Sequence, residues 1–175
     1  AHRQYPQWQL YGCEEEKSQW QIARMLQFYH GGGMEGIRRE DPLEADRIDK
    51  TGERTPEGEV PTYEEYDLIV TNPPVGELPI EDQDRYWIST RKAQLQYMQM
   101  LMNHVKKQGM VIAVVNEGTL FMYDAEQKVR QYLLNDYQIQ GVISLPAGAF
   151  LPYTGSKASV LIFTSCLLYT SDAAD

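Results

Sequence analysis

Short apolar runs alternate with helix-patterned segments along this chain, and that alternation restricts its fold more than any other feature. Residues 8–14, WQLYGCE, read as a strand ending on an acidic side chain. The next stretch, SQWQIARMLQFYHGGG, sets Ile22, Met25, Leu26 and Tyr29 at helical spacing, with Ser18 as its N-cap and Gly31 to Gly33 as its stop. A short extended piece runs into REDPLEAD. Residues 44–65 are rich in charge, glycine and proline and read as loop. Residues 66–71 form an apolar run of strand length, and 76–87 a second loop. Residues 92–107 form a helix with Leu95, Met98, Leu101, Met102 and Val105 on one face, its methionines filling core. Gly109 ends that helix, and MVIAVV over 110–115 is a buried strand. Asp124 and Gln127 make a capping box for a helix through Leu134. QIQGVISL and SVLIFT are two further strands, joined by PAGAFLPYTGSKA.

Strands alternating with helices imply an α/β architecture, a mostly parallel sheet covered by helices on both faces. The last connection is too short for a helical crossover, so the final two strands should pair antiparallel. Ligands of open α/β sheets bind at the C-terminal ends of the strands. That puts Glu14, Asp41, Asn72 and the pair Asn116 and Glu117 along one rim.

Composition excludes several functions. At 175 residues, with 42% hydrophobic and 23% charged residues, one soluble globular domain is expected. No apolar run reaches membrane-spanning length, so no membrane partner is expected. Cys13 and Cys166 make neither a metal spacing nor a disulfide framework, and His2, His30 and His104 are scattered, so no metal is expected. The formal net charge of −9 makes the chain a poor nucleic-acid binder by itself, because phosphate contacts need Lys and Arg. If it acts on DNA, other segments or subunits must supply much of the attraction.

The run YDLIVTNPPVG ends an apolar, buried-looking strand in an asparagine and two prolines. Neither Pro73 nor Pro74 has an N–H, both have φ fixed near about −65°, and each pushes its predecessor out of the helical region. The result is a rigid rim carrying two acceptors, the Asn72 side-chain oxygen and the Pro73 carbonyl. Two fixed acceptors suit an –NH₂ group with two hydrogens to give. The exocyclic amine of adenine is one. Its lone pair is delocalised into the ring, and bonds to both hydrogens would favour the pyramidal geometry that attack requires. Catalysis would then rest on positioning and preorganised dipoles.

Asn-Pro-Pro at a strand end resembles the catalytic motif of S-adenosylmethionine-dependent amino-methyltransferases. LYGCEEEKSQWQIARMLQFYHGG, DLIVTNPPVG, GMVIAVVNEGTLF and VISLPAGAFLPYTGSKASVLIF, in this order, resemble the methylation subunit of type I restriction–modification systems. The resemblance implies the Rossmann-like methyltransferase fold, a mostly parallel sheet with a C-terminal antiparallel strand, and S-adenosyl-L-methionine as cofactor. It implies methyl transfer to the N6 amine of adenine in DNA. The implied partners are DNA, a sequence-recognition subunit and a restriction subunit, in the cytoplasm. It makes Asn72 and Pro73 the acceptors for the target amine and Pro74 the residue shaping the loop. It gives Glu14 to the cofactor's ribose hydroxyls and Asp41 to the cofactor's adenine. Phe150 would stack on an extruded base, with Tyr153 and Lys157 as weaker base or phosphate contacts.

Departures from the family pattern accompany it. An aromatic usually follows Asn-Pro-Pro, and here Val75 stands there; stacking is worth about 1–3 kcal/mol per base, so a weaker base clamp is expected. VVNEG replaces a common Pro-Asp turn. The glycine-rich strand–loop expected ahead of residue 8 is not in the chain, which opens at Ala1. Residues 166–175, CLLYTSDAAD, resemble a translated sequencing adapter, and without Asp172 and Asp175 the net charge moves from −9 to −7. The expected organisation is therefore a partial catalytic domain over 1–165, its N-terminal part missing, and an artefact over 166–175, the fragment alone being inactive. Alternative readings are a protein-glutamine or RNA amino-methyltransferase, an inactive scaffold remnant, and another α/β nucleotide-binding domain. The last lacks any Gly-x-Gly-x-x-Gly or phosphate loop to support it.

Overall fold

A computed structural model of the chain describes residues 7–45, 65–152 and 154–165. Most of the loop expected over 44–65, Tyr153 and the tail 166–175 lie outside the described residues. The chain divides into two compact units, Ala1–Arg47 and Ile48–Asp175.

In the first unit, β1 (Gly12–Cys13) and β2 (Ile37–Arg38) pair in parallel around α1 (Lys17–Tyr29), and α2 (Pro42–Ala45) follows. The strand expected over 8–14 shrinks to two residues because its partner offers only two. Gly36 lets the backbones approach, since a Cβ there would lie 2.1 Å from the Leu10 carbonyl oxygen. Glu16, not Ser18, caps α1, which begins two residues earlier than a Ser18 cap implies. The Glu16 carboxylate accepts from the Gln19 N–H at 2.8 Å and from the Ser18 hydroxyl. The Ser18 bond and then the Gln19 bond hold its pKa below the usual carboxylate value. α1 ends at the glycine run as expected, with Gly31 at φ 87°. Its apolar positions Ile22, Met25, Leu26 and Tyr29, however, are exposed.

The second unit contains β3 (Tyr66–Thr71), a 3-10 turn (Ile80–Asp82), α3 (Ala93–His104), β4 (Val105–Asn116), α4 (Glu117–Phe121), α5 (Ala125–Asp136), β5 (Tyr137–Ser144) and β6 (Ala158–Ser165). The sheet order is β3-β4-β6-β5. β3 and β4 are parallel, and β6 is antiparallel to both β4 and β5. Three strands therefore point one way, and the last strand, returning through a short connection, inserts between β4 and β5 in the opposite sense. This is the mixed α/β sheet that the sequence order implies.

Alternation along β4 and β6 puts Val111, Ala113, Val115, Leu161 and Phe163 on one buried face. Leu95, Met98, Leu101 and Met102 of α3 and Val129 and Leu133 of α5 complete that core. The methionines of α3 are core, as expected. Among the described helices of this unit, α3, α4 and α5 all gather on that side. The opposite face, with Val70, Ile112, Val114 and Ile162, is partly open.

Two boundaries differ from the sequence reading. The helix expected to reach residue 107 stops at His104, because Val105 pairs with Tyr66 of β3. Gly109 then lies inside β4 instead of ending the helix. Pairing jumps from Tyr66↔Val105 to Leu68↔Met110, so β4 carries extra residues there as a bulge. Gln108 takes φ 66° in that bulge, and a Cβ on Gly109 would lie 2.9 Å from the Lys106 carbonyl oxygen. The capping box at Asp124 does not form. Asp124 sits at φ 61° without a side-chain cap bond. Arg130 instead fixes the α4–α5 turn, donating to the Thr119 carbonyl at 2.8 Å and the Met122 carbonyl at 2.6 Å.

A left-handed conformation costs a non-glycine residue about 1 kcal/mol or more. Gln108→Gly is therefore expected to stabilise the protein by up to about 1 kcal/mol, read as a higher denaturant midpoint; a lower midpoint would show that the strain is smaller than the entropy glycine adds to the unfolded chain.

Candidate active site at the strand ends

β3 stops where Pro73 withdraws its N–H from the ladder. Asn72 is exposed, Pro73 is buried, and Pro74 is exposed. Among the described residues neither the Asn72 carboxamide nor the Pro73 carbonyl has a hydrogen-bond partner. Val75 is 62% exposed. Gly76 follows at φ 143°, and its carbonyl accepts from the Ala93 N–H at 3.0 Å. The loop beyond closes on itself at its neck, with the Leu78 N–H donating to the Arg91 carbonyl at 2.7 Å and Glu77 bridging to Lys92. Arg91 also pairs with Glu77 at 3.2 Å. Asn72 thus follows a strand and precedes a closed loop, so both sides of it are fixed.

Three buried glutamines on α3 hold the neighbourhood, and the sequence reading missed them. Gln94 accepts from the Asn116 N–H at 2.9 Å and from the Thr119 hydroxyl at 2.8 Å, which sets the turn from β4 into α4. Gln96 donates to the Asp82 and Thr90 carbonyls at 2.6 and 2.7 Å. Gln99 accepts from the Ile88 N–H at 2.8 Å and donates to the Ile88 carbonyl at 3.2 Å. A buried amide costs stability unless bonded, so these side chains are specific to this loop and this turn. The available signal was amides at 94, 96 and 99 in a helix whose neighbours are core.

Because β3 and β4 are parallel, Asn72 and the pair Asn116 and Glu117 share one end of the sheet, as expected. The connection from β5 to β6 is at that end too. Phe150 lies in it, half-buried, and its carbonyl accepts from the Thr154 N–H at 3.1 Å. β3 and β6 are two strand spacings apart, on the order of 10 Å, with β4 between them. Lys157 does not extend freely toward solvent. Its ammonium pairs with the Glu117 carboxylate at 2.6 Å.

Glu14 and Asp41 belong to the first unit. Glu14, half-buried after β1, accepts from the Glu16 N–H at 3.0 Å with one oxygen, and the other has no partner among the described residues. Asp41 accepts from the Leu43 N–H at 2.9 Å, capping α2, so it is at least an Asp-Pro turn. Cys13 donates to Glu40 at 3.3 Å. Burial first, then that bond, raises the thiol pKa, so it stays protonated near neutrality. Among the described residues no group of three or more His, Cys, Asp or Glu could hold a metal ion. No described helix is long and apolar enough to cross a membrane.

Comparison with known proteins gives consistent matches. The family model for N-6 DNA methylase matches residues 1–166. The type I restriction enzyme EcoEI methylase subunit of Escherichia coli is 34% identical over 104 residues, which is 58% of this chain and 21% of that protein. A chain from a structure on complex assembly and conformational transition of the type I R-M system matches at TM-score 0.75 and 26% identity, over 89% of this chain and 30% of that one. The EcoKI M protein matches in fold at TM-score 0.70 and 22% identity, over 91% of this chain and 31% of its own. The chain thus spans about a fifth of the curated relative's length.

Gln94→Ala would leave the Asn116 N–H and the Thr119 hydroxyl without their acceptor. It is expected to cost about 1–3 kcal/mol and to speed hydrogen exchange at Asn116. Equal stability of Gln94→Ala and the parent would remove Gln94 from this role.

Proposed function

The chain belongs to the N-6 DNA methylase family, and from that premise we propose that it forms part of the catalytic domain of a type I modification subunit. The proposed reaction is methyl transfer from S-adenosylmethionine to the N6 amine of adenine in DNA. Residues 1–165 are read as part of a larger domain, and 166–175 as foreign to it. The observation that carries the reading is the unpartnered acceptor pair, the Asn72 carboxamide and the Pro73 carbonyl, held on a proline-stiffened strand end.

S-adenosylmethionine, when bound, supplies an electrophilic methyl group on a sulfonium sulfur. Of the residues assigned to it, Glu14 fits, because it keeps one carboxylate oxygen for the ribose hydroxyls. Asp41 fits less well, since one of its oxygens is committed to α2. Asn72 and Pro73 each accept one hydrogen of the target amine. This withdraws the nitrogen lone pair from conjugation with the ring and aims it for in-line attack. With that group bound, Asn72 and Pro73 would hold the amine nitrogen toward its methyl carbon; the nitrogen would take the methyl, the carbon–sulfur electron pair would leave with sulfur, and the displaced N–H proton would pass to solvent. The oxygens of Asn72 and Pro73 steady the positive charge that grows on that nitrogen. Pro74 keeps the turn rigid, and the half-buried Phe150 supplies an aromatic face for an extruded base. Val75 offers less contact than an aromatic would.

DNA is the proposed substrate, with a sequence-recognition subunit and a restriction subunit as partners in the cytoplasm. The acidic charge supports this division of labour, since attraction to phosphate must come from elsewhere in the assembly.

In the complete methylase polypeptide, Asn72→Ala is expected to lower methyl transfer by about 100-fold or more, with cofactor binding retained; normal turnover would overturn the reading. Val75→Phe is expected to tighten binding to DNA with a mismatched adenine by about 1–3 kcal/mol. A parent protein that binds cofactor but shows no transfer, with or without Val75→Phe, would identify an inactive relative.

A further inference from the structure

The loop from β5 to β6 has two stems at the sheet end, and a single side chain reaches both. Glu117, the first residue of α4, holds the Lys157 ammonium at 2.6 Å. The same oxygen accepts a long bond from the Ser144 hydroxyl at 3.5 Å. Ser144 ends β5, and Lys157 directly precedes β6. The Glu117 backbone N–H also donates to the Lys157 carbonyl at 3.2 Å. The stems meet each other through the Leu145 N–H and the Ala158 carbonyl at 3.0 Å. Glu117 is itself fixed, since the preceding N–H, that of Asn116, bonds to buried Gln94.

We infer that Glu117 is a positioning residue: its carboxylate clasps the stems of the Phe150 loop to the end of β4, setting that loop opposite Asn72. The inference rests on the proposed function and adds a part to its site. It also gives Lys157 a different role from the phosphate contact suggested by its sequence position. With its charge met by Glu117, Lys157 is a structural cation. The ion pair is partly exposed, its side chains retaining 45% and 31% of their accessibility. Exposed pairs contribute little to stability, so the clasp matters for geometry more than for folding. Within the loop, successive turns carry the constraint inward, from the Ala149 N–H to the Pro146 carbonyl at 3.1 Å and from the Leu151 N–H to the Gly148 carbonyl at 3.0 Å.

The test uses the complete polypeptide with its recognition subunit and a DNA duplex carrying 2-aminopurine at the target adenine. Glu117→Gln and Lys157→Met are each expected to lower kcat and the fluorescence rise of base extrusion by about tenfold. Cofactor affinity should not change. The reversed pair, Glu117→Lys with Lys157→Glu, should recover most of both. Lys157→Met should leave the slope of log Kd against log salt unchanged, whereas loss of a phosphate contact would reduce it by about one. A reduced slope, parental kcat in Glu117→Gln, or a reversed pair no better than the single variants would each overturn the inference. If Glu117→Gln melts below the assay temperature, Lys157→Gln carries the same test through an exposed side chain. Asn72→Ala in the same assay separates the two levels. If that variant turns over normally, the proposed site fails; if it is inactive while Glu117→Gln is normal, only the clasp fails.

Discussion

The second unit depends on β4, which is bonded on both sides: in parallel to β3 and antiparallel to β6. A central strand must satisfy its backbone groups through the elements beside it, since water does not reach them. β4 does so while placing Val111, Ala113 and Val115 in the core, each almost fully removed from solvent. The parallel partner aligns the Asn72 end with the β4–α4 turn. The antiparallel partner delivers Lys157 to that same turn. Each candidate site position of this unit is therefore referenced to one strand.

Hydrogen bonds from α3 turn this alignment into a defined surface. A helix packed on a sheet through Leu95, Met98 and Leu101 can still slide or rotate slightly, because apolar contact is not directional. Gln94, Gln96 and Gln99 remove that freedom. Each reaches a backbone group or hydroxyl in a turn or loop beside the helix. The amides thus do in the second unit what metal ligands or disulfides do in other small sites: they tie irregular segments to a regular element.

What could be read in the sequence was local. Proline acts on its own φ and on its predecessor, so the end of β3 and the acceptor pair after it were legible without a structure. The apolar period of α3 was legible too, because Met98, Leu101 and Met102 recur at helical spacing. The end of α3 was not legible, since Val105 leaves the helix to pair with Tyr66, a residue far away in the chain. The same holds for the Gln94 bonds to residues 116 and 119 and for the Glu117 pair with Lys157. Those partners meet only after the sheet forms. Asp124 shows the reverse error: a capping pattern present in sequence was overridden by Arg130, which dictated the turn from the other side.

β3 lies at one edge of its sheet, and among the described residues it has a partner on one side only. Its outward row of N–H and C=O groups is a template for any passing extended segment, and Leu68 and Val70 add exposed apolar surface beside it. An edge of this kind accepts one further strand. Pro73 and Pro74 fix where such a strand must stop, because it meets two residues without N–H groups and cannot extend the ladder past Thr71. The prolines that stiffen the rim therefore also set the length of anything added beside β3.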